Sequence, residues 1–422
     1  MSDLNSYSRE EKKKELRKKV VPFPSPQQQQ PEQEDSEEII KSARHKRLRR
    51  RILFGIALGV FLIALVFVWS RYQYYFQYTE YETVWETEVV EGAFAQYIPF
   101  GANLLKYTRD GASYIDENGN VIWNQTYEIK TPIVAINGDY VAIADQQGNT
   151  IYVCDKTGYQ GTITTLSPIL KVCVSAHGVV AAILDDTRVN YVNLYNKNGD
   201  LISDSKTYLE NSGYPLDLSL SADGSILMMS YLYIDSGVMH GRVTFHNFSE
   251  AGKISNDRLV AGFDKDYFDK SVVARVKILN DSRAAAFADD ALVFFSLENV
   301  TSPEIIATYP MESEVKSIFY SSQYVGVVVN NDGAEAPYTL AVYDTSGRKK
   351  MERALDYEYS QAQFEGDMVL LYNDNSCRLY NMDGVEKFAG EFDFIVSKMR
   401  VGKGGSSLFI TGGQKMRRVK MR

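Results

Sequence analysis

The chain has 422 residues, 45% hydrophobic and 24% charged, which leaves room for two or three average domains or one large repetitive one. Its net charge of −8 is uneven: residues 1–51 carry 14 Lys+Arg against 9 Asp+Glu, whereas residues 72–422 carry 31 against 45. An acidic main part excludes the clustered cations of a nucleic-acid binder, and three scattered cysteines (Cys154, Cys173, Cys377) exclude a disulfide framework and a structural zinc site.

In chain order, Arg9–Val21 mixes charges densely and reads as a short surface helix near anionic lipid. The following "PFPSPQQQQPEQEDSEE" has too few apolar residues to bury a core, so residues 1–51 as a whole are expected to be a disordered basic cytoplasmic tail. Ile52–Trp69, "ILFGIALGVFLIALVFVW", runs 18 residues without a charge. As a helix it covers about 27 Å, close to the hydrocarbon thickness of a bilayer, and predicts a transmembrane span over 52–70. Arg44, Lys46, Arg47, Arg49, Arg50 and Arg51 crowd its N-terminal side with Lys41, and only Arg71 follows it. Trp69, Tyr72, Tyr74 and Tyr75 stand at the other end, where aromatic rings settle at the membrane interface. The charge bias predicts a cytoplasmic N-terminus and an extracytoplasmic C-terminal domain at the plasma membrane. A cleaved signal peptide would need a shorter apolar region and a small-x-small site, and "WSRYQYYFQY" offers none, so the segment reads as a signal-anchor. Residues 71–79 form an aromatic linker.

From residue 80 onward the chain alternates short β-branched or aromatic runs with Gly, Asn, Asp and Ser turns, the pattern of strands. One phrase recurs: "YIDENGNVIW", "IYVCDKTGYQG", "VNLYNKNGDLI", "VTFHNFSEAGKI", "LVFFSLENVTSPEII", "LAVYDTSGRKK" and "CRLYNMDGVEK". Its turn glycines, Gly119, Gly158, Gly199, Gly252, Gly347 and Gly384, are 39, 41, 53, 95 and 37 residues apart, the 95 spanning two units. Two further apolar runs precede each phrase. Four strands per roughly 44 residues is the period of a β-propeller blade, with the phrase as third strand and the turn into the fourth. In that turn Asp or Asn accepts backbone N–H groups and Gly supplies a positive φ.

Inner strands begin near Phe94, Ile133, Leu170, Pro215, Val273, Val315, Ser360 and Ile395, which predicts an all-β, eight-bladed propeller over 80–422, with seven blades as the alternative. The chain's end supplies only three strands to the last blade. "ETVWETEVVEG" (Glu82–Gly92) has strand character and no partner of its own, so it is expected to close the ring as the missing strand. Strict alternation puts Val84, Glu86, Glu88 and Val90 on one face, and Trp85, Thr87 and Val89 on the face toward the neighbouring blade.

These residues carry a family resemblance. "LSLSADGSILMMSY", through Ser221, Asp223 and Gly224, is similar to the S-x-D-G turn of WD-repeat and YVTN-type propellers. "YIDENGNVIW", through Asp116, Gly119 and Trp123, resembles the D-x-x-G-x-x-x-W of quinoprotein-like blades. With the anchor, the whole resembles membrane-anchored bacterial propellers classed as domains of unknown function.

Catalytic patterns are absent from the sequence. His45, His177, His240 and His246 show no metal-ligand spacing. "FDKDYFDK", with Asp264, Asp266 and Asp269, lacks the Gly and Glu of a calcium loop and reads as a solvated acidic loop. "VGKGGSS" has no helix N-terminus to complete a phosphate cradle, and the pairs Asp185–Asp186 and Asp289–Asp290 fall at hairpin tips. No catalytic residue, metal ligand or cofactor is assigned. The reading is a non-catalytic envelope scaffold that meets a bilayer and a protein or cell-wall ligand, the longest insertion (fourth unit) being the first place to look. The alternative is a quinoprotein-like or hydrolytic enzyme with a scattered site.

Overall fold

The structure is a computed structural model that describes residues 14, 30–88, 95–186, 189–208, 212–331, 335–402, 404–412 and 415–422. The expected surface helix at Arg9–Val21 apart from Lys14, residues 22–29 of the Pro- and Gln-rich stretch, and Val89, Val90 and Phe94 lie outside the described residues. The chain divides into two compact units, Met1–Tyr74 and Tyr75–Arg422.

Among the described residues, the first unit holds the long helix Gln30–Tyr75, which extends beyond the apolar run at both ends. Upstream of Gly55 it is rich in Glu, Lys and Arg, all good helix formers, and its Pro31 sits in the first turn, where a missing N–H costs nothing. Helical backbone therefore begins well inside the tail that composition assigned to disorder. Within it, His45–Tyr75 includes a window of mean hydropathy 2.9 and is long and apolar enough to cross a membrane.

The second unit is an eight-bladed β-propeller: eight four-stranded antiparallel sheets, each built from consecutive strands except the last. Inner strands start at Gln96, Pro132, Ile169, Tyr214, Val273, Val315, Gln361 and Val396. The core is divided among eight seams, each between adjacent blades. Phe245 of blade 4, for instance, packs on Phe295 of blade 5, and Leu340 of blade 6 joins Leu371 of blade 7. A single blade would leave both of its apolar faces wet, so the seams exist only because the ring does.

The recurring phrase works as a turn. Asp344 Oδ1 accepts the N–H groups of Ser346 and Arg348, both at 3.0 Å, and Gly347 adopts a φ of 83°. Asp116, Asp155, Asn196 and Asn381 repeat the arrangement in blades 1, 2, 3 and 7. Ladder register shifts just before the turn in each of these blades, as a bulge at a left-handed glycine produces. Blade 4 departs from the pattern. Gly252 lies in a 3₁₀ segment (Glu250–Ile254) without a positive φ, and a Cβ there would meet the Asn247 carbonyl oxygen at 1.8 Å. Its glycine answers close approach rather than handedness.

Tyr81–Glu88 pairs antiparallel with Lys415–Met421 and completes blade 8. Val84 is a bulge, 54% exposed, so strict alternation fails before it and holds after it. Tyr81 turns toward Phe388 and Phe392 of the blade 7 side, while Trp85 packs on Phe409, ring centroids 5.8 Å apart, in the seam with blade 1. Glu86 takes both Lys415 Nζ (2.9 Å) and Arg417 Nε (2.6 Å), and Arg417 Nη1 reaches Asp393 Oδ1 at 2.6 Å. Pairing extends upstream into the expected linker, where Tyr78 N–H donates to the Lys387 carbonyl (2.7 Å) and Thr79 N–H to that of Arg422 (2.8 Å).

Removing residues 81–88 should therefore lower stability by several kcal/mol, and Trp85→Ala by roughly 2–3 kcal/mol, while Val84→Ala should change little. Urea denaturation of the three variants checks this. Equal midpoints for Trp85→Ala and Val84→Ala would show that the closing seam carries no load.

Candidate functional site

Blade 4 is unlike its neighbours in three respects. Its middle hairpin, Ile226–Asp235 with Val238–Asn247, has ten residues per strand, and its tip exposes Ile234 (71%) and Met239 (50%). Two 3₁₀ turns, Glu250–Ile254 and Asn256–Arg258, intervene before the outer strand Leu259–Phe263. Finally, five described residues other than glycine have positive φ, and four of them, Ser236, Asp257, Arg258 and Lys270, lie in this blade or the loop that leaves it. Non-glycine residues held in that region are strained, and such strain collects at functional sites.

These departures open a groove between blade 4 and the outer strand of blade 3 (Leu201–Tyr208). It comprises two adjoining cavities of about 400 and 510 Å³ that share Ser205, Lys206, Tyr231, His246 and Asp257. Leu227, Met229 and Phe248 supply its apolar floor at one end, and Arg242 and Asp264 stand at the other. Its cations lie along aromatic rings: Arg242 is 4.3 Å from the Tyr233 centroid, Arg258 5.6 Å from Phe248 and Lys206 5.7 Å from Tyr191. Such cations keep their charge available while covering apolar surface. Asp204, Asp257 and Asp264 balance them, so the groove is amphipathic without a dominant sign.

His246 crosses the middle of the groove. Its Nδ1 donates to the Asp257 carbonyl (3.2 Å), which leaves Nε2 to accept from the Thr244 hydroxyl (3.1 Å). Burial holds this imidazole below its usual range, against the opposing effect of the Asp257 carbonyl.

The acidic loop that follows exposes Asp266 and Asp269 to solvent and is anchored at one point. Phe268 is buried, the Asp264 carbonyl accepts the N–H groups of Tyr267 and Phe268 at 2.8 Å, and Lys265 pairs with Asp235 at 3.1 Å. Asp269 Oδ1 lies 3.1 Å from His240 Nδ1, a pairing that residue spacing gave no sign of. Among the described residues no hydroxyl or thiol hydrogen-bonds His240, and no three His, Cys, Asp or Glu side chains gather as a metal would require. Asp289 and Asp290 are exposed at the tip between Arg283–Ala288 and Ala291–Ser296, as expected, and they also hold the blade 4–5 connection: Asp289 Oδ1 accepts the Val272 N–H at 2.8 Å, and Asp290 the Ser271 hydroxyl at 2.5 Å. The three cysteines are free and lie on blades 2, 3 and 7, and burial pushes the thiols of Cys154, Cys173 and Cys377 up to about 12. Arg44, Lys46, Arg47, Arg49, Arg50, Arg51, Trp69, Tyr72, Tyr74 and Tyr75 all belong to the long helix.

A closed ring of eight four-stranded blades with Asx–Gly turns defines an eight-bladed β-propeller. Residues 74–421 match the family of unknown function DUF5711, and the chain belongs to that family. No curated protein sequence matches it. Among solved structures it is similar to Sqt1 of Chaetomium thermophilum bound to the N-terminus of the ribosomal protein L10, at 12% identity and a TM-score of 0.53, covering 81% of this chain and 100% of that one. It is also similar to Saccharomyces cerevisiae Sqt1 (13%, TM-score 0.51, 82% and 98% covered) and to BamB from Moraxella catarrhalis (14%, TM-score 0.48, 81% and 100% covered). At these identities the likeness shows the fold alone.

Because the folded state favours neutral His246, its stabilising contribution is complete above the free-imidazole value of about 6.5 and is lost as pH falls through the lower folded value. In an NMR titration the His246 ring should protonate below about pH 6.5, and His246→Phe should flatten the acid destabilisation between about pH 7 and 5. A midpoint above 6.5 would contradict the buried, neutral assignment.

Proposed function

We propose that the protein is a single-pass, membrane-anchored scaffold whose propeller binds a protein partner through the blade 3–4 groove and the adjoining hairpin tip. The observation that carries this reading is the concentration on one blade of strained backbone, exposed apolar side chains and an open amphipathic groove. A rigid ring supplies the frame, and irregular segments on it supply recognition. Exposed apolar side chains beside cations laid over aromatic rings suit a polypeptide, which offers both apolar and charged groups. Sqt1, a propeller of similar fold, has been solved with the N-terminus of L10 bound, so the fold is compatible with this use. Nothing in the groove favours a cell-wall polymer. An enzymatic reading would rest on His240 and Asp269 alone.

In this proposal Arg44, Lys46, Arg47, Arg49, Arg50 and Arg51 hold the N-terminal side in the cytoplasm, and Trp69, Tyr72, Tyr74 and Tyr75 sit at the opposite interface of the plasma membrane. The propeller is then extracytoplasmic, in the cell envelope. Protease added outside intact cells should digest a C-terminal tag and spare an N-terminal one, and the reverse pattern would invert the topology.

Binding is tested by affinity capture with the full chain and with a variant carrying Lys206→Glu, Ile234→Asp and Met239→Asp. All three side chains are at the surface, so the fold should persist. The partner recovered with the unaltered protein should disappear with the variant. An unchanged set of captured proteins would place recognition elsewhere.

A further inference from the structure

The inner strand of each blade touches that of the next around much of the ring, including Val396–Val401 against Gln96–Phe100, so these strands wall the central channel. Their charges are not those of the domain. The eight strands hold six cations, Lys171, Arg275, Lys277, Lys316, Lys398 and Arg400, and one anion, Asp217. Residues 72–422 as a whole have the opposite bias, 31 basic to 45 acidic.

A shared backbone device aims most of them. In five blades the first pairing of the inner strand is broken by a bulge, between Ile169 and Lys171, Pro215 and Asp217, Val273 and Arg275, Val315 and Ser317, and Val396 and Lys398. The residue after the bulge and the one two further on therefore take equivalent places in each blade, about 7 Å apart along the strand. Those places hold Lys171 in blade 3, Asp217 in blade 4, Arg275 and Lys277 in blade 5, and Lys398 and Arg400 in blade 8.

Some of these charges are already satisfied. Asp217 takes Lys171 Nζ at 2.9 Å and the Val276 N–H at 3.0 Å, Lys316 pairs with Glu358 at 3.2 Å, and Arg400 donates to the Gly101 and Asn103 carbonyls at 3.0 and 2.9 Å. Arg275 and Lys277 have no carboxylate partner among the described residues. Arg275 is exposed, and Lys277 lies 5.6 Å from the Tyr320 ring centroid of blade 6. Lys277 also acts electrostatically on Cys173 of blade 3. On the innermost strand of blade 5, with its ammonium beside a blade 6 ring and within electrostatic reach of a blade 3 thiol, Lys277 lies on the channel side. Blades 1, 2 and 7 complete the wall with the uncharged strands "QYIPF", "PIVAIN" and "QAQF"; in blades 1 and 2, Ile98, Val134 and Ile136 pack against the seam core on one side and stay half-buried.

We propose that the central channel binds an acidic polypeptide segment, its carboxylates on Arg275 and Lys277 and its apolar side chains on the uncharged wall of blades 1 and 2. The apolar wall favours a peptide over a phosphate polymer, which has nothing to place there. This site is separate from the blade 3–4 groove and does not depend on it.

The test uses the full chain in detergent and a short fluorescein-labelled peptide alternating glutamate with valine, read by fluorescence anisotropy. The peptide should bind, and its glutamine counterpart should not. Arg275→Gln and Lys277→Gln should each weaken binding about tenfold, the effect of one charge-assisted hydrogen bond, without shifting the melting temperature. Lys206→Gln, in the groove, should leave the affinity unchanged. Equal binding of the glutamine peptide, full affinity in the Arg275 and Lys277 variants, a loss confined to Lys206→Gln, or binding of sodium polyphosphate but not of the peptide would each overturn the proposal.

Discussion

A four-stranded blade with two apolar faces has no stable existence alone, and every other feature of this propeller depends on how that constraint is met. Each face must be covered by another blade, so the eight seams form only if the ring closes. The C-terminus brings three strands to the last blade and the segment after the helix brings the fourth. Among the described residues, the seam between blades 8 and 1 is the thinnest of the core clusters, with five buried apolar residues and Trp85 packed against them. Ring closure therefore leans on Tyr81 and Trp85 of the closing strand, its strand ladder and the Glu86–Arg417–Asp393 chain of charge-assisted bonds. Arg417 is itself buried and lies 4.7 Å from the Phe394 ring, while its partners Glu86 and Asp393 remain open to solvent, so the chain tethers the strand at one buried guanidinium.

Closure also explains where variation is tolerated. Once both faces of a blade are covered, the hairpin tips and the connection to the outer strand are free of packing duty. Blade 4 uses that freedom twice, in its long hairpin and in the 3₁₀ turns beside the groove. The inner strands have less freedom, because neighbouring blades crowd the axis. There variation takes the form of charge placement at positions that a bulge turns to the same side. The result is an acidic domain with a cationic channel and an amphipathic groove at its rim.

The repeat was legible because each unit must carry its own Asx–Gly turn, and Asp116, Asn196, Asp344 and Asn381 declare it in sequence. The closing strand was legible because Glu82–Glu88 alternates like a strand yet has no neighbour in the repeat. The bulge at Val84 was not, since an extra residue in a ladder leaves no trace in apolar alternation. Gly252 looked like its counterparts, although the 3₁₀ turn that displaced the usual hairpin is visible only in three dimensions. The groove escaped for a related reason: Lys206 and His246 are 40 residues apart in sequence and meet only when blade 3 stands beside blade 4. The cations of the inner strands were in plain view, but their common direction depends on knowing which strand is innermost and where each one bulges.

Native-state hydrogen exchange tests most directly whether the one strand that follows the long helix in the chain holds the ring together. The amides of Tyr81–Glu88 that pair with Lys415–Met421 should exchange as slowly as those of the buried strand Ser407–Gly412, opening only with the whole propeller. Fast exchange across Tyr81–Glu88, with slow exchange retained in blades 2 to 7, would show that the ring stands without it and would contradict the account.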